Sequence, residues 1–177
     1  SFELAEKRLS ADVTNFSASA SSVSKGEGLK DTVQNIHAMK MDCAVMRHPV
    51  PGSCLQLSKF VDAVVINAGD GTHEHPTQAL LDMMSLQEKF GKLKGLNIAI
   101  VGDILHSRVA LSNIYGLQKM GAKVTLCGPP HLIPRGIDEL GVSVNSDIDE
   151  VIEWADAINV LRIQRERMGL GIIPSIR

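Results

Sequence analysis

Asn97-Ile98-Ala99-Ile100-Val101-Gly102-Asp103 sets the fold class of this chain. Four apolar residues in a row, closed by glycine and aspartate, predict a strand buried on both faces. Helical sequence from Ser107 to about Met120 comes next. Gly121-Ala122 then leads into a second apolar run, Val124-Thr125-Leu126-Cys127, ended by Gly128-Pro129-Pro130. Strand, helix, strand with continuous apolar strands is the pattern of a parallel sheet covered by helices.

The same alternation extends outward in both directions. Downstream, Val142-Ser143-Val144 reads as a strand, Ile148 to Trp154 as a helix, and Ala157 to Leu161 as a strand. Upstream, Pro76 stands where a helix begins, since its missing N–H costs nothing there, and helical spacing runs on to Phe90 before Gly91 to Gly95 ends it. Before that helix come an apolar run from Ala63 to Asn67, a helical stretch from Leu55 to Phe60, and a buried-strand run, Cys43 to Met46, followed by Arg47-His48-Pro49. Ala68 to Thr72 reads as a turn. Ser1 to Leu9 is helical, with Phe2, Ala5 and Leu9 on one face. Ala11 to Phe16 reads as a short strand, Ser17 to Gly28 as a serine- and glycine-rich loop, and Asp31 to Met39 as a helix. The expected architecture is α/β: two parallel-sheet domains, 1–75 and 91–177, joined by a long helix over 76–90. The chain opens in helical sequence and stops at Arg177 without a closing element, so both ends read as cut.

Composition narrows the function. A formal net charge of −2 over 177 residues argues against broad nucleic-acid or membrane-surface binding, which needs a basic excess. Aromatics make up 3%, so the core must be aliphatic. Cys43, Cys54 and Cys127 form no C-x-x-C pair, which disfavours a disulfide framework or a zinc ribbon and fits a reducing cytosol. They read as small buried hydrophobes rather than nucleophiles. No run approaches the ~18 apolar residues of a membrane span.

In open parallel sheets, ligands bind beyond the carboxyl ends of the strands. The polar residues there are Arg47 and His48; His73, His75 and Gln78; Asp103, His106 and Arg108; and Arg162 and Gln164. Arginine offers a planar fork of donors suited to carboxylate and phosphate. One arginine near a strand end is commonplace, but three predict a substrate, or a pair of substrates, with several negative charges. Gln78 falls in the first turn of the helix begun by Pro76, where backbone N–H groups favour an anion or a carbonyl oxygen. His75 is placed either to cap that helix or to donate to a developing oxyanion. His73 and His75 lack the further ligands a zinc site needs, so no metal is expected. The turn after Val101 carries only Gly102 of the dinucleotide glycine pattern, and there is no P-loop. Lys25 lies in the serine-rich loop, suited either to an anion contact or to plain solvation.

These residues together resemble the catalytic chain of the aspartate carbamoyltransferase family. The resemblance rests on Asn67-Ala68-Gly69-Asp70-Gly71 running into His75-Pro76-Thr77-Gln78-Ala79-Leu80-Leu81-Asp82. It extends to Ser21 through Glu27, Val45-Met46-Arg47-His48, Val101-Gly102-Asp103 through Arg108, and Leu161 through Arg167, in family order. It implies a carbamoyl-phosphate domain, a linking helix and an aspartate domain, both domains incomplete. It also implies transfer of the carbamoyl group of carbamoyl phosphate to the amine of L-aspartate, a step of pyrimidine biosynthesis in the cytoplasm, with no cofactor and no covalent intermediate. By match to the family's motifs, Arg47, His75, Gln78 and Ser21 would hold carbamoyl phosphate, with Arg47, His75 and Gln78 catalytic. Lys25, Arg108, Arg162 and Gln164 would hold aspartate. The loop bearing Ser21 and Lys25 implies a homotrimer with shared active sites, and the family admits a regulatory chain.

The family's S-T-R-T-R phosphate loop would lie ahead of Ser1 and its Pro-Leu-Pro loop beyond Arg177. The 177-residue polypeptide by itself is therefore expected to be inactive or very weak. Two rivals remain at this stage. Ornithine carbamoyltransferase typically has Cys where Thr77 stands, and Arg162 would face the amine of its substrate. A non-catalytic domain of the same fold is disfavoured by the retained Arg47, His75, Gln78, Arg108 and Arg162.

Overall fold

The computed structural model of the chain describes residues 1–15, 38 and 40–163. The serine-rich loop with Ser21 and Lys25, the helix expected over Asp31 to Met39 (apart from Ala38), and Gln164 lie outside the described residues. The chain divides into two compact units, Ser1–Asn67 and Ala68–Arg177.

In the first unit, helix α1 (Phe2–Arg8) forms where its spacing predicts, but none of its residues is buried. The strand expected from Ala11 does not form: Ala11 to Asn15 carry no regular structure. A strand needs a neighbour to take its backbone groups, and a segment alternating with Asp12 and Thr14 offers little apolar surface to dock one. Strands β1 (Cys43–His48) and β2 (Val64–Asp70) pair in a two-stranded sheet, with helix α2 (Ser53–Ser58) between them in sequence. Leu57 and Val61 are buried against Met46, Ala44, Ala63 and Val65, which makes a small core. Among the boundaries that differ from the sequence reading, two bear on the candidate residues. Arg47 and His48 are the last residues of β1 rather than its sequel. The Ala68-Gly69-Asp70 segment, expected as a turn, continues β2 and is buried. Asp70 explains the second difference, because its N–H donates to Glu74 O at 3.0 Å and its Oδ1 accepts the Glu74 N–H at 3.2 Å. The turn is thereby pushed into residues 71–74.

The second unit carries a four-stranded sheet of β3 (Asn97–Val101), β4 (Lys123–Cys127), β5 (Ser143–Asn145) and β6 (Ala157–Val160). Its order is β5-β4-β3-β6 and every pairing is parallel. Among the described residues three α-helices belong with it: α3 (Pro76–Phe90), α4 (Arg108–Lys119) and α5 (Ile148–Trp154). Successive strand residues face opposite sides of a sheet, and the two sides of β3 are covered differently. Ile98 and Ile100 join Ile114 and Leu117 of α4, with Met83, Leu86 and Phe90 of α3 packed at the margin. Ala99 and Val101 meet Val151 of α5 and Cys127. Small residues on that second face let the short helix α5 sit close. Helices therefore cover both faces, as the continuous apolar runs predict. Helix α3 lies within the second unit and packs on α4. Among the described residues, no helix is long and apolar enough to cross a membrane.

The core of the second unit depends on side chains with no exposure, Leu126 among them. Leu126→Ala should lower the unfolding free energy by about 2–5 kcal/mol, since both the burial of the side chain and the filling of its space are lost. Denaturant titration of the purified gene product reads this directly; a loss below half a kcal/mol would show that this core tolerates a void.

Candidate active site

The strand order fixes where a ligand can sit. From β3 the chain moves outward to β4 and β5, then returns to place β6 on the other side of β3. The crevice beyond the carboxyl ends of β3 and β6 is the topological switch point of this sheet. The two strands end level, with Val101 opposite Val160, and Leu161 donates its N–H to Val101 O at 2.8 Å. Gly102 follows at once with φ of +122°, and a Cβ there would lie 3.0 Å from Leu161 O. A glycine is required here because the two strand ends nearly touch. That contact sets the loop from Asp103 to Arg108 beside Arg162, which is exposed two residues beyond β6.

Asp103 is fully buried at the root of this loop. Its Oδ1 takes the backbone N–H of His106 at 3.2 Å and lies 2.8 Å from His106 Nδ1. Ser107 caps α4, its Oγ accepting the Ala110 N–H at 3.3 Å. Arg108 is the first residue of that helix and is only 8% exposed. Its Nη1 donates to Gly71 O at 3.2 Å, and the guanidinium lies over Gly69, where a Cβ would come within 2.9 Å of Cζ. A cation in the first turn opposes the helix dipole, so local sequence preference does not explain Arg108. Its side chain instead joins the end of β3 to the turn after β2.

That turn delivers the remaining candidates. His75 occupies the N-cap position of α3, yet its side chain makes no capping bond; Nδ1 lies 3.3 Å from Thr77 Oγ1. The backbone does the anchoring: His75 N–H donates to Ser112 Oγ of α4 at 2.8 Å, and Ser112 Oγ donates in turn to the Glu74 carboxylate. Gln78 stands in the first turn of α3, its N–H donating to His75 O at 3.0 Å. Its Nε2 donates to Oδ1 of Asp82, one turn later, at 2.9 Å. Asp82 Oδ2 accepts from Asn113 Nδ2 at 2.8 Å and from Asn159 Nδ2 at 3.2 Å.

His75, Gln78 and Arg108 thus come together through the turn after β2 and the two helix starts, with Arg162 at the neighbouring strand end. Arg47 is exposed at the end of β1 in the first unit. Ser21, Lys25 and Gln164 lie outside the described residues. The sequence reading passed over Ser112, Asp82, Asn113 and Asn159. One signal was available: Asn113 interrupts an otherwise apolar helix face, and Asp82 follows Gln78 by four residues, the spacing that brings helix side chains into contact. Asn113 has no exposure and its Oδ1 has no hydrogen-bond partner, a cost of about 1–3 kcal/mol. Its amide is turned to give the nitrogen to Asp82.

Among the described residues no group of three His, Cys, Asp or Glu side chains is placed to hold a metal ion. Cys54 and Cys127 are buried, but Cys43 is exposed at the outer start of β1, contrary to the expectation that all three are buried. Burial, and secondarily the charge of Asp147, pushes the Cys127 thiol above its ordinary value. It stays protonated to higher pH, the wrong direction for a nucleophile.

Gly69 combines a positive φ of +118° with the Arg108 guanidinium where a Cβ would stand. Gly69→Ala should therefore cost about 1–3 kcal/mol in backbone strain and displace Arg108 as well. A thermal melt of the variant tests the first effect and a crystal structure the second; an unshifted melt with Arg108 in place would refute both.

The profile of the aspartate/ornithine carbamoyltransferase carbamoyl-P binding domain matches residues 1–88. The aspartate carbamoyltransferase catalytic subunit of Christiangramia forsetii is 61% identical over all 177 residues, and the chain spans 57% of that protein's length. Among solved structures, aspartate transcarbamoylase of Trypanosoma cruzi, in complex with carbamoyl phosphate and aspartate, superposes with a TM-score of 0.81 at 31% identity. That match covers 91% of this chain and 58% of the other. The catalytic subunit of M. jannaschii aspartate transcarbamoylase gives 0.80 at 35% identity, covering 94% and 57%. Sequence along the whole chain and the parallel α/β fold agree: the chain belongs to the aspartate/ornithine carbamoyltransferase family.

Proposed function

We propose that the protein containing this chain transfers the carbamoyl group of carbamoyl phosphate to the amine of L-aspartate, giving N-carbamoyl-L-aspartate and phosphate. The observation that carries the reading is the buried Arg108 at the strand switch point, held against the turn that leads to His75 and Gln78. The relatives named for this activity, and structures named for complexes with both substrates, support it.

In this reading Arg108 and Arg162 hold the two carboxylates of aspartate, with Lys25 and Gln164 beside them. Arg47, His75, Gln78 and Ser21 hold carbamoyl phosphate. The aspartate amine attacks the carbamoyl carbon, a C–N bond forms, and the carbonyl oxygen becomes an oxyanion. His75 and Gln78 stabilise that charge as positioned donors, worth several kcal/mol at such sites, roughly 3 for one donor. The C–O bond to phosphate then breaks, and the departing phosphate takes the amine proton. Two clamped anions and fixed donors suffice, because orientation supplies much of the barrier reduction. The parts proposed here place residues 1–75 with carbamoyl phosphate, 91–177 with aspartate, and α3 between them. We place the protein in the cytoplasm as a homotrimer, the loop of Ser21 and Lys25 completing a neighbour's site; a regulatory chain is compatible with this.

Offering aspartate and ornithine separately to the full gene product, with carbamoyl phosphate and a ureido colour assay, decides the substrate. Carbamoyl-aspartate is expected, and Arg162→Ala should lower kcat/KM for aspartate roughly 100-fold. Citrulline formation would overturn the assignment, and product from neither amine would favour a non-catalytic domain. For the shared site, inactive Lys25→Ala and His75→Ala proteins should regain part of the activity once their subunits are exchanged. No recovery in proven mixed oligomers would place each site within one subunit.

A further inference from the structure

Asp82 belongs to none of the roles above, yet three side chains converge on it. Gln78 Nε2 donates to Oδ1, while Asn113 Nδ2 and Asn159 Nδ2 donate to Oδ2. The three come from α3, α4 and β6, so one carboxylate joins three elements of the second unit. An ionised carboxylate only accepts, and each amide must therefore turn its nitrogen inward. Asn113 does so while leaving its own buried oxygen without a partner. Packing alone would be served as well by an apolar side chain at 113, which leaves nothing unpaired. The cluster is specified by its polarity.

We infer that Asp82 is a positioning residue that holds the Gln78 amide in its working orientation and ties it to β6, the strand that delivers Arg162. The inference rests on the reading of Gln78 as a carbamoyl contact. A glutamine side chain has three rotatable bonds, and holding one end of its amide on Asp82 removes that freedom before any substrate arrives. Asn159 pairs opposite Ile100 in the sheet and stands three residues before Arg162. Through Asp82, the two proposed substrate sides share one polar anchor. A reacting carbon must be brought within about 3 to 3.5 Å of its nucleophile, so such an anchor acts on turnover more than on affinity.

A double-mutant cycle on the full gene product tests this, with kcat and both KM values measured for wild type, Asp82→Asn, Gln78→Ala and the double variant. Asp82→Asn keeps the shape but gives Gln78 and the two asparagines a mixed donor and acceptor in place of a carboxylate. It should lower kcat about 10-fold or more, with KM for aspartate changed less than about twofold, and should have little further effect once Gln78 is alanine. Equal losses in both backgrounds, or an unchanged kcat, would show a merely structural role and overturn the inference. If Asp82→Asn fails to fold by circular dichroism, Asn159→Ala removes one donor at a half-buried position and goes through the same cycle. A smaller loss that vanishes in the Gln78→Ala background is expected, and a loss that multiplies overturns the inference. Failure of the proposed function is separately visible, because wild type would then give no carbamoyl-aspartate. In that event the positioning role falls with it.

Discussion

Leu161 donates its N–H to Val101 O at 2.8 Å, and this bond fixes where two parallel strands of the second unit stop. The starting points of the segments that carry Arg108 and Arg162 descend from it. With Val101 level with Val160, the chain leaves the sheet at the same height on both sides of the switch point. A slip of one residue would turn every β6 side chain to the opposite face, carrying Asn159 away from Asp82. It would also bring a side chain other than Leu161 against Gly102. The glycine is thus a consequence of the register as much as its guard: the carbonyl lies 3.0 Å from where its Cβ would be.

Around that backbone constraint the unit divides its labour between apolar and polar contacts. Ile98, Ile100, Ile114, Leu117 and Leu126 fill the side of the sheet under α4 without polar partners. The start of α3 is held differently, by Ser112, Glu74, Asp82, Asn113 and Asn159. Apolar contacts resist separation but allow sliding, whereas a hydrogen bond fixes both distance and direction. A surface proposed to present His75 and Gln78 at set angles gains from the second kind. The unpaired Asn113 oxygen is the cost of that arrangement, since an apolar residue would leave nothing unsatisfied.

The division between what could and could not be read from sequence follows the range of the interactions. Helix α5 matches the reading from Ile148 to Trp154 residue for residue, and α4 differs only by its caps, because spacing and capping are local signals. Continuous apolar runs gave the parallel sheet for the same reason. The Ala68-Gly69-Asp70 segment misled, because its composition is that of a turn while Asp70 bonds to Glu74 and keeps it extended. Ala11 to Asn15 misled in the opposite sense, having strand-like residues but pairing with no strand among the described residues. Arg108 and His75 were legible as candidates from their motif. The burial of Arg108 over Gly69, and the convergence on Asp82, join residues up to 77 positions apart, beyond any local pattern.

Arg108 also bears on why the site should take an anion. Its positive charge sits in the first turn of α4, where the dipole is unfavourable to cations, and it is withdrawn from water to 8% exposure. A buried guanidinium needs partners to offset its desolvation, and the Gly71 carbonyl is one of them. In the proposed reading the carboxylate of aspartate would be held strongly there, because a low-dielectric setting strengthens the attraction that water would screen. A buried cation at a helix start, beside a strand switch point, is the feature of this unit that suits the anionic substrate proposed above. This is the physical content of the substrate reading, independent of any resemblance.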